Sequence, residues 1–127
     1  MKNSKIIYFV LFSFIFLYIS CGSPSKPSDV SKEFMKKIEN NDKSAKDMLS
    51  KQLVAMVGEE KLNKAIEQQS VKIKDKGGIK SMEVLKEEAT DSTATVEMKI
   101  TYGNGQTDTD KSQLVKEDGK WKLSPSK

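Results

Sequence analysis

The sequence predicts an α+β domain in which N-terminal helices pack on a curved four-stranded antiparallel meander sheet. Three observations carry that expectation. Apolar residues recur every three to four positions from Val30 to Ile73, the period changes to two from Ile79 onward, and turn signals cut the second half into four segments. Helices first and strands afterwards place the helices over one face of the sheet.

The chain opens with a segment that reads as a targeting signal and not as part of the fold. "MKNSK" carries positive charge, and Ile6 to Ile19 is apolar apart from Ser13 and two tyrosines. As a helix this run would extend about 21 Å at roughly 1.5 Å per residue, short of the ~30 Å hydrocarbon core of a bilayer. An export signal over residues 1–20 is therefore expected, with an uncleaved anchor as the alternative. The single cysteine, Cys21, follows directly. After it "GSPSKPS" is small, polar and proline-punctuated, as expected of an extended tether over residues 21–28.

The folded domain is expected over residues 29–127. "SDVSKEFMKKIENND" spaces Val30, Phe34 and Ile38 four apart, one face of a helix that Ser28 or Ser31 can cap. Asp42 can cap a second helix, "KSAKDMLSKQLVAMVG", with Ala45, Met48, Leu49, Leu53, Met56 and Val57 toward the core and Gly58 as its stop. A third helix from Glu59 carries Leu62, Ile66, Gln69 and Ile73 on one stripe and closes at Gly77 and Gly78. Glu59 and Glu60 suit the positive end of its dipole.

"STATVEMKITY" is the clearest strand, with Ala94, Val96, Met98, Ile100 and Tyr102 on one face and Thr95, Glu97, Lys99 and Thr101 on the other. Turn signals at Thr90 to Ser92, Gly103 to Gly105 and Glu117 to Gly119 separate it from "IKSMEVLKEE", "QTDTDKSQLVK" and "KWKL". Four antiparallel strands result.

Composition excludes several function classes. There is no histidine and one cysteine, so Cys/His zinc sites, Ser-His and Cys-His nucleophile pairs, CxxC redox chemistry and an intramolecular disulfide lack their residues. Removing Lys2 and Lys5 with the leader lowers the formal charge from +4 to +2. All 22 basic residues are lysine, interleaved with acids, and arginine, whose planar fork reads phosphates and base edges, is absent. No nucleic-acid partner, metal or cofactor is expected.

Ser20 and Cys21 resemble the lipobox of bacterial lipoproteins, in which a small residue precedes a cysteine that becomes the diacylated N-terminus; the leucine usual three before the cysteine is Tyr18 here. The resemblance implies cleavage between Ser20 and Cys21, lipidation of Cys21, and a cell-envelope protein anchored in a membrane and facing the periplasm or the cell exterior. Two or three acyl chains supply the several signals that stable anchoring needs. The alternative is an ordinary signal peptide that leaves a free or buried thiol.

From about Val30 to Leu123 the chain resembles small lipoproteins of the nuclear-transport-factor-like superfamily, most specifically in the double glycine before the first strand and the "EDGKWK" close. The resemblance implies a cone-shaped domain whose helices and sheet enclose a pocket, used in some members for small molecules, in some for proteins and in a few for isomerisation or dehydration. Homodimerisation through the sheet is frequent there.

Phe34, Ile38, Val96, Met98, Tyr102 and Trp121 are the candidate pocket lining. Each has an alternative as ordinary core: Trp121 closes a strand beside Leu123, and methionines fill gaps in any core. Tyr102 ends an apolar strand face with no aspartate that the sequence places opposite it, so no catalytic residue is assigned. Asp108 and Asp110 are expected at strand edges facing water. "DTDKS" lacks the glycine and the later glutamate of a calcium loop. The expected function is a non-enzymatic, membrane-tethered module binding a small apolar ligand or an envelope protein. The alternatives are an isomerase, lyase or hydrolase of the same architecture, and a purely structural lipoprotein with a filled core.

Overall fold

A computed structural model describes residues 26–125 of the chain. The leader, Ser20 and Cys21 lie outside the described residues. Helices α1 (Pro27–Glu39), α2 (Lys51–Val57) and α3 (Glu59–Asp75), with a 3-10 turn at Lys43–Met48 before α2, precede strands β1 (Ile79–Ala89), β2 (Thr93–Tyr102), β3 (Thr107–Glu117) and β4 (Lys120–Ser124). The strands pair antiparallel in chain order, so the sheet is an open four-stranded meander. The architecture is α+β, helices first and sheet afterwards, as the change of period predicts.

The start of α1 differs from expectation. Pro27 occupies the first turn, where its missing N–H costs nothing, and neither Ser28 nor Ser31 caps the helix; both are buried within it. The carboxylate of Glu87, on β1, accepts the Ser28 N–H at 2.7 Å and supplies the cap from 59 residues away. Local sequence could not reveal a cap that arrives through the sheet.

The expected second helix is two pieces. Asp42 caps the 3-10 turn, accepting the Ser44 N–H at 2.9 Å, but the chain then extends at Leu49 and Ser50 to reach β4. Ser50 N–H donates to the Leu123 carbonyl at 2.7 Å, Leu49 bridges Leu123, and the Ser50 hydroxyl restarts the helix by accepting the Leu53 N–H at 3.2 Å. A backbone bond to the sheet edge replaces helical bonds at this point. Rotation after the break turns Met56 outward, where it is 66% exposed, contrary to its expected core position.

The inner face of β2 buries Ala94, Val96, Met98, Ile100 and Tyr102, the alternation expected of a strand with one dry face. Val30, Leu49, Leu62, Leu114, Trp121 and Leu123 close around Ala94, Val96 and Met98. Ile38, Ala45, Ile66 and Ile73 form a second cluster with Ile100 and Tyr102. The outer face carries cross-strand charge pairs, Glu83 opposite Lys99 and Lys86 opposite Glu97, and Glu97 again opposite Lys111.

Two turns interlock at the Tyr102 end of the sheet. Gly77 and Gly78, both at positive φ, close α3, and Gly103 N–H donates to the Gly78 carbonyl at 2.9 Å while Asn104 N–H donates to the Lys76 carbonyl at 2.9 Å. A Cβ on Gly103 would overlap the Gly77 carbonyl oxygen. This backbone approach fixes where Lys76 meets β2 and β3.

Candidate functional site

A groove of about 490 Å³ opens between α1, α3 and the inner face of β2 and β3, within the ~300–1,000 Å³ usual for small-molecule sites. Helix α1 contributes Phe34, Met35 and Ile38 from adjacent turns, and α3 contributes Leu62, Ile66, Gln69 and Ile73 at helical spacing. The groove persists because α3 packs mainly on α1 and the 3-10 turn and not across the strands. Ile100 and Tyr102 enter from β2, Asp108 and Asp110 from β3.

A larger concavity of about 640 Å³ lies at the far end of the sheet, between Met56 of α2, the β1–β2 turn and Pro125. Its walls are exposed or half-buried apart from Ala94 and Leu114. The smaller groove has Ile38, Leu49, Leu62, Ile66, Ile73, Ile100 and Tyr102 buried in its wall, so its lining is the more apolar of the two.

The polar end of the groove is one connected unit. The Tyr102 hydroxyl donates to Asp108 Oδ2 at 2.9 Å, and Lys76 Nζ donates to the same oxygen at 3.1 Å. Lys76 Nζ also lies 4.6 Å from the centroid of the Tyr102 ring, within cation–π range. Burial, then the hydrogen bond to Asp108 and the negative charges of Asp108 and Asp110, push the Tyr102 phenol up to about 12. Hydrogen bonds from Lys76 and then from Tyr102 hold the Asp108 carboxyl below its ordinary value. Asp110 accepts the Ser112 hydroxyl at 2.8 Å. Among the described residues, no three acidic or cysteine side chains converge to hold a metal ion.

Of the six candidate lining residues, Phe34, Ile38 and Tyr102 are brought together at this groove. Val96, Met98 and Trp121 are not: Val96 and Met98 are fully buried under Val30, Leu49 and Leu62, and Trp121 packs in the same cluster with Lys116 Nζ 5.1 Å from its ring. Strand period places Val96 and Met98 on the correct face, but which part of that face a helix covers is set by the crossing of α1, which period does not encode.

Asp110 also departs from expectation, being half-buried, whereas Asp108 is exposed to water as expected. Asp108 and Asp110 pair with Ile100 and Met98 across the hairpin and so share the inner face, although Asp108 remains accessible at the groove mouth. The signal was present: counting back by twos from apolar Leu114 through Ser112 reaches Asp110 and Asp108.

Residues 19–124 match the family profile described as a domain of unknown function, DUF4878. The chain belongs to that family. No curated protein matches this DUF4878 chain in sequence. Its structure is similar to that of a candidate NTF2-like transpeptidase from Campylobacter jejuni, with a TM-score of 0.70 at 21% identity, covering 80% of this chain and 100% of that one. It is also similar to a SEC-C motif containing protein from Rhodopseudomonas palustris, with a TM-score of 0.59 at 16% identity, covering 86% and 83%. At these identities the likeness establishes a shared fold and no more: this DUF4878 domain has an NTF2-like fold.

Proposed function

We propose that this DUF4878 protein is a membrane-anchored envelope lipoprotein whose groove binds a small, largely apolar ligand without transforming it. The observation that carries the binding part is the groove itself, walled by buried apolar residues and closed at one end by the Tyr102–Asp108 hydrogen bond. A general acid or base works best with a pKa near the operating pH, yet the phenol is pushed up to about 12 and the carboxyl is held low, each away from neutrality. Such a pair keeps fixed hydrogen-bonding roles, which suits recognition. Transpeptidation, the activity in the Campylobacter protein's name, would need a nucleophile activated by a base within hydrogen-bond reach. Asp108 lies within that reach of the Tyr102 hydroxyl, but a carboxyl held below its ordinary value is too weak a base for a phenol pushed up to about 12.

Anchoring rests on the leader and on Cys21 at its end, where Ser20 and Cys21 have the lipobox pattern. Fatty-acid labelling that persists in Cys21→Ser overturns it. For binding, native mass spectrometry of the full chain released from envelope membranes is expected to retain a small-molecule adduct, lost in Ile66→Trp, which fills the groove. An adduct equally abundant in the folded variant, or consumed over time by the wild type, overturns the reading.

A further inference from the structure

We infer that the groove selects a ligand with an apolar body ending in an ammonium group; the inference rests on the binding role given to the groove above. Its wall contains two carboxylates, Asp108 and Asp110, against a single lysine, Lys76, which reaches Asp108 at the groove mouth. Two residues apart on one strand face, these side chains rise from the backbone about 7 Å apart, so an ammonium paired with one also feels the charge of the other.

The chain itself shows that this end accommodates a cation. Lys76 Nζ lies over the Tyr102 ring at 4.6 Å and donates to Asp108 Oδ2 at 3.1 Å, the pairing of aromatic face and carboxylate that an alkylammonium requires. Lys76 satisfies one carboxylate only. Among the described residues Asp110 has no lysine within ion-pair distance, and its hydrogen-bond donor is the neutral Ser112 hydroxyl. Asp110 is half-buried, so it gains from a charged partner that a fully solvated carboxylate would not need. Phe34, Ile66 and Ile73 supply the dry wall for the body of the ligand. A carboxylate or phosphate in the same position would face the charge of Asp110, which no lysine among the described residues offsets.

The test is equilibrium dialysis of the full chain in phosphatidylcholine nanodiscs, with empty nanodiscs as control, against 4-phenylbutylammonium, 4-phenylbutanol and 5-phenylpentanoate. The ammonium is expected to bind about tenfold more tightly than the alcohol, with the carboxylate weakest. Asp110→Asn, close in shape, is expected to erase the preference for the ammonium while leaving the alcohol unchanged. Lys76→Met, which frees Asp108, is expected to strengthen ammonium binding about threefold. Equal binding of all three probes overturns the cation inference and leaves the apolar groove standing. A preference that survives Asp110→Asn overturns the site assignment. No binding of any probe to the folded protein overturns the inference and the groove reading together.

Discussion

The hydroxyl of Tyr102 donates to Asp108 across 2.9 Å, joining the last residue of β2 to the second residue of β3 over the turn between them. Burial first, then this bond, favours the neutral phenol, so the folded protein ionises Tyr102 less readily than the unfolded chain. Stability from this group is full below pH 10.0 and is lost as pH rises through about 12. Asp108 gives the opposite arm, with stability present above pH 3.8 and lost as pH falls through its lowered value. Tyr102→Phe is expected to cost about 1 kcal/mol at neutral pH. Urea unfolding from pH 8 to 12 should show a wild-type minus variant difference that shrinks above pH 10; a constant difference would remove the hydrogen bond from the account.

Gly103→Ala is expected to destabilise the fold by about 2–3 kcal/mol, because its Cβ would overlap the Gly77 carbonyl oxygen and stand 3.0 Å from the carbonyl carbon. Both neighbours are backbone and cannot rotate away. Gly105→Ala, in the same turn but with nothing near its Cβ, separates the two effects. It should show only the strain of its φ of +88°, about 1 kcal/mol. Urea midpoints of the two variants measure this, and equal losses would mean that the close approach does not hold the turns together.

The groove was half legible in the sequence, for reasons visible in single residues. Phe34, Ile38 and Tyr102 follow from periodicity because each helix or strand period fixes its own face. Lys76 could not be placed, because it arrives through the interlock of Gly77 and Gly103, a contact between segments some 26 positions apart. Glu87 as the cap of α1 and Leu123 as the stop of the 3-10 turn are likewise tertiary. The order of elements, set by local periods, was read correctly; the breaks within them are set by partners distant in sequence.

Met56 and Met98 make that distinction measurable. Both sit at positions that periodicity assigns to the core, yet Met98 is fully buried and Met56 is 66% exposed. Met98→Ala is expected to cost about 2–5 kcal/mol through lost transfer energy and the cavity left behind. Met56→Ala should stay within about 0.5 kcal/mol. Chemical denaturation of both variants at pH 7 checks the pair; a large loss at Met56 would place its side chain in the core beside Leu53, Val54 and Val57, which already pack there.

Ser31 and Ser70 are both nearly fully buried, but they differ in what their hydroxyls meet. Ser70 Oγ donates to the Glu39 carbonyl at 2.9 Å and so ties α3 to the end of α1. Ser31 Oγ has no hydrogen-bond partner among the described residues. Replacing Ser70 by alanine leaves a carbonyl at the C-terminus of α1 without its donor, an expected loss of about 1 kcal/mol. Replacing Ser31 by alanine removes a desolvated hydroxyl and raises helix propensity in the middle of α1, an expected gain of about 0.5–1 kcal/mol. Thermal melts should therefore move in opposite directions for two substitutions of identical chemistry. A loss at Ser31 equal to that at Ser70 would show that its hydroxyl does have a partner on the inner side of α1.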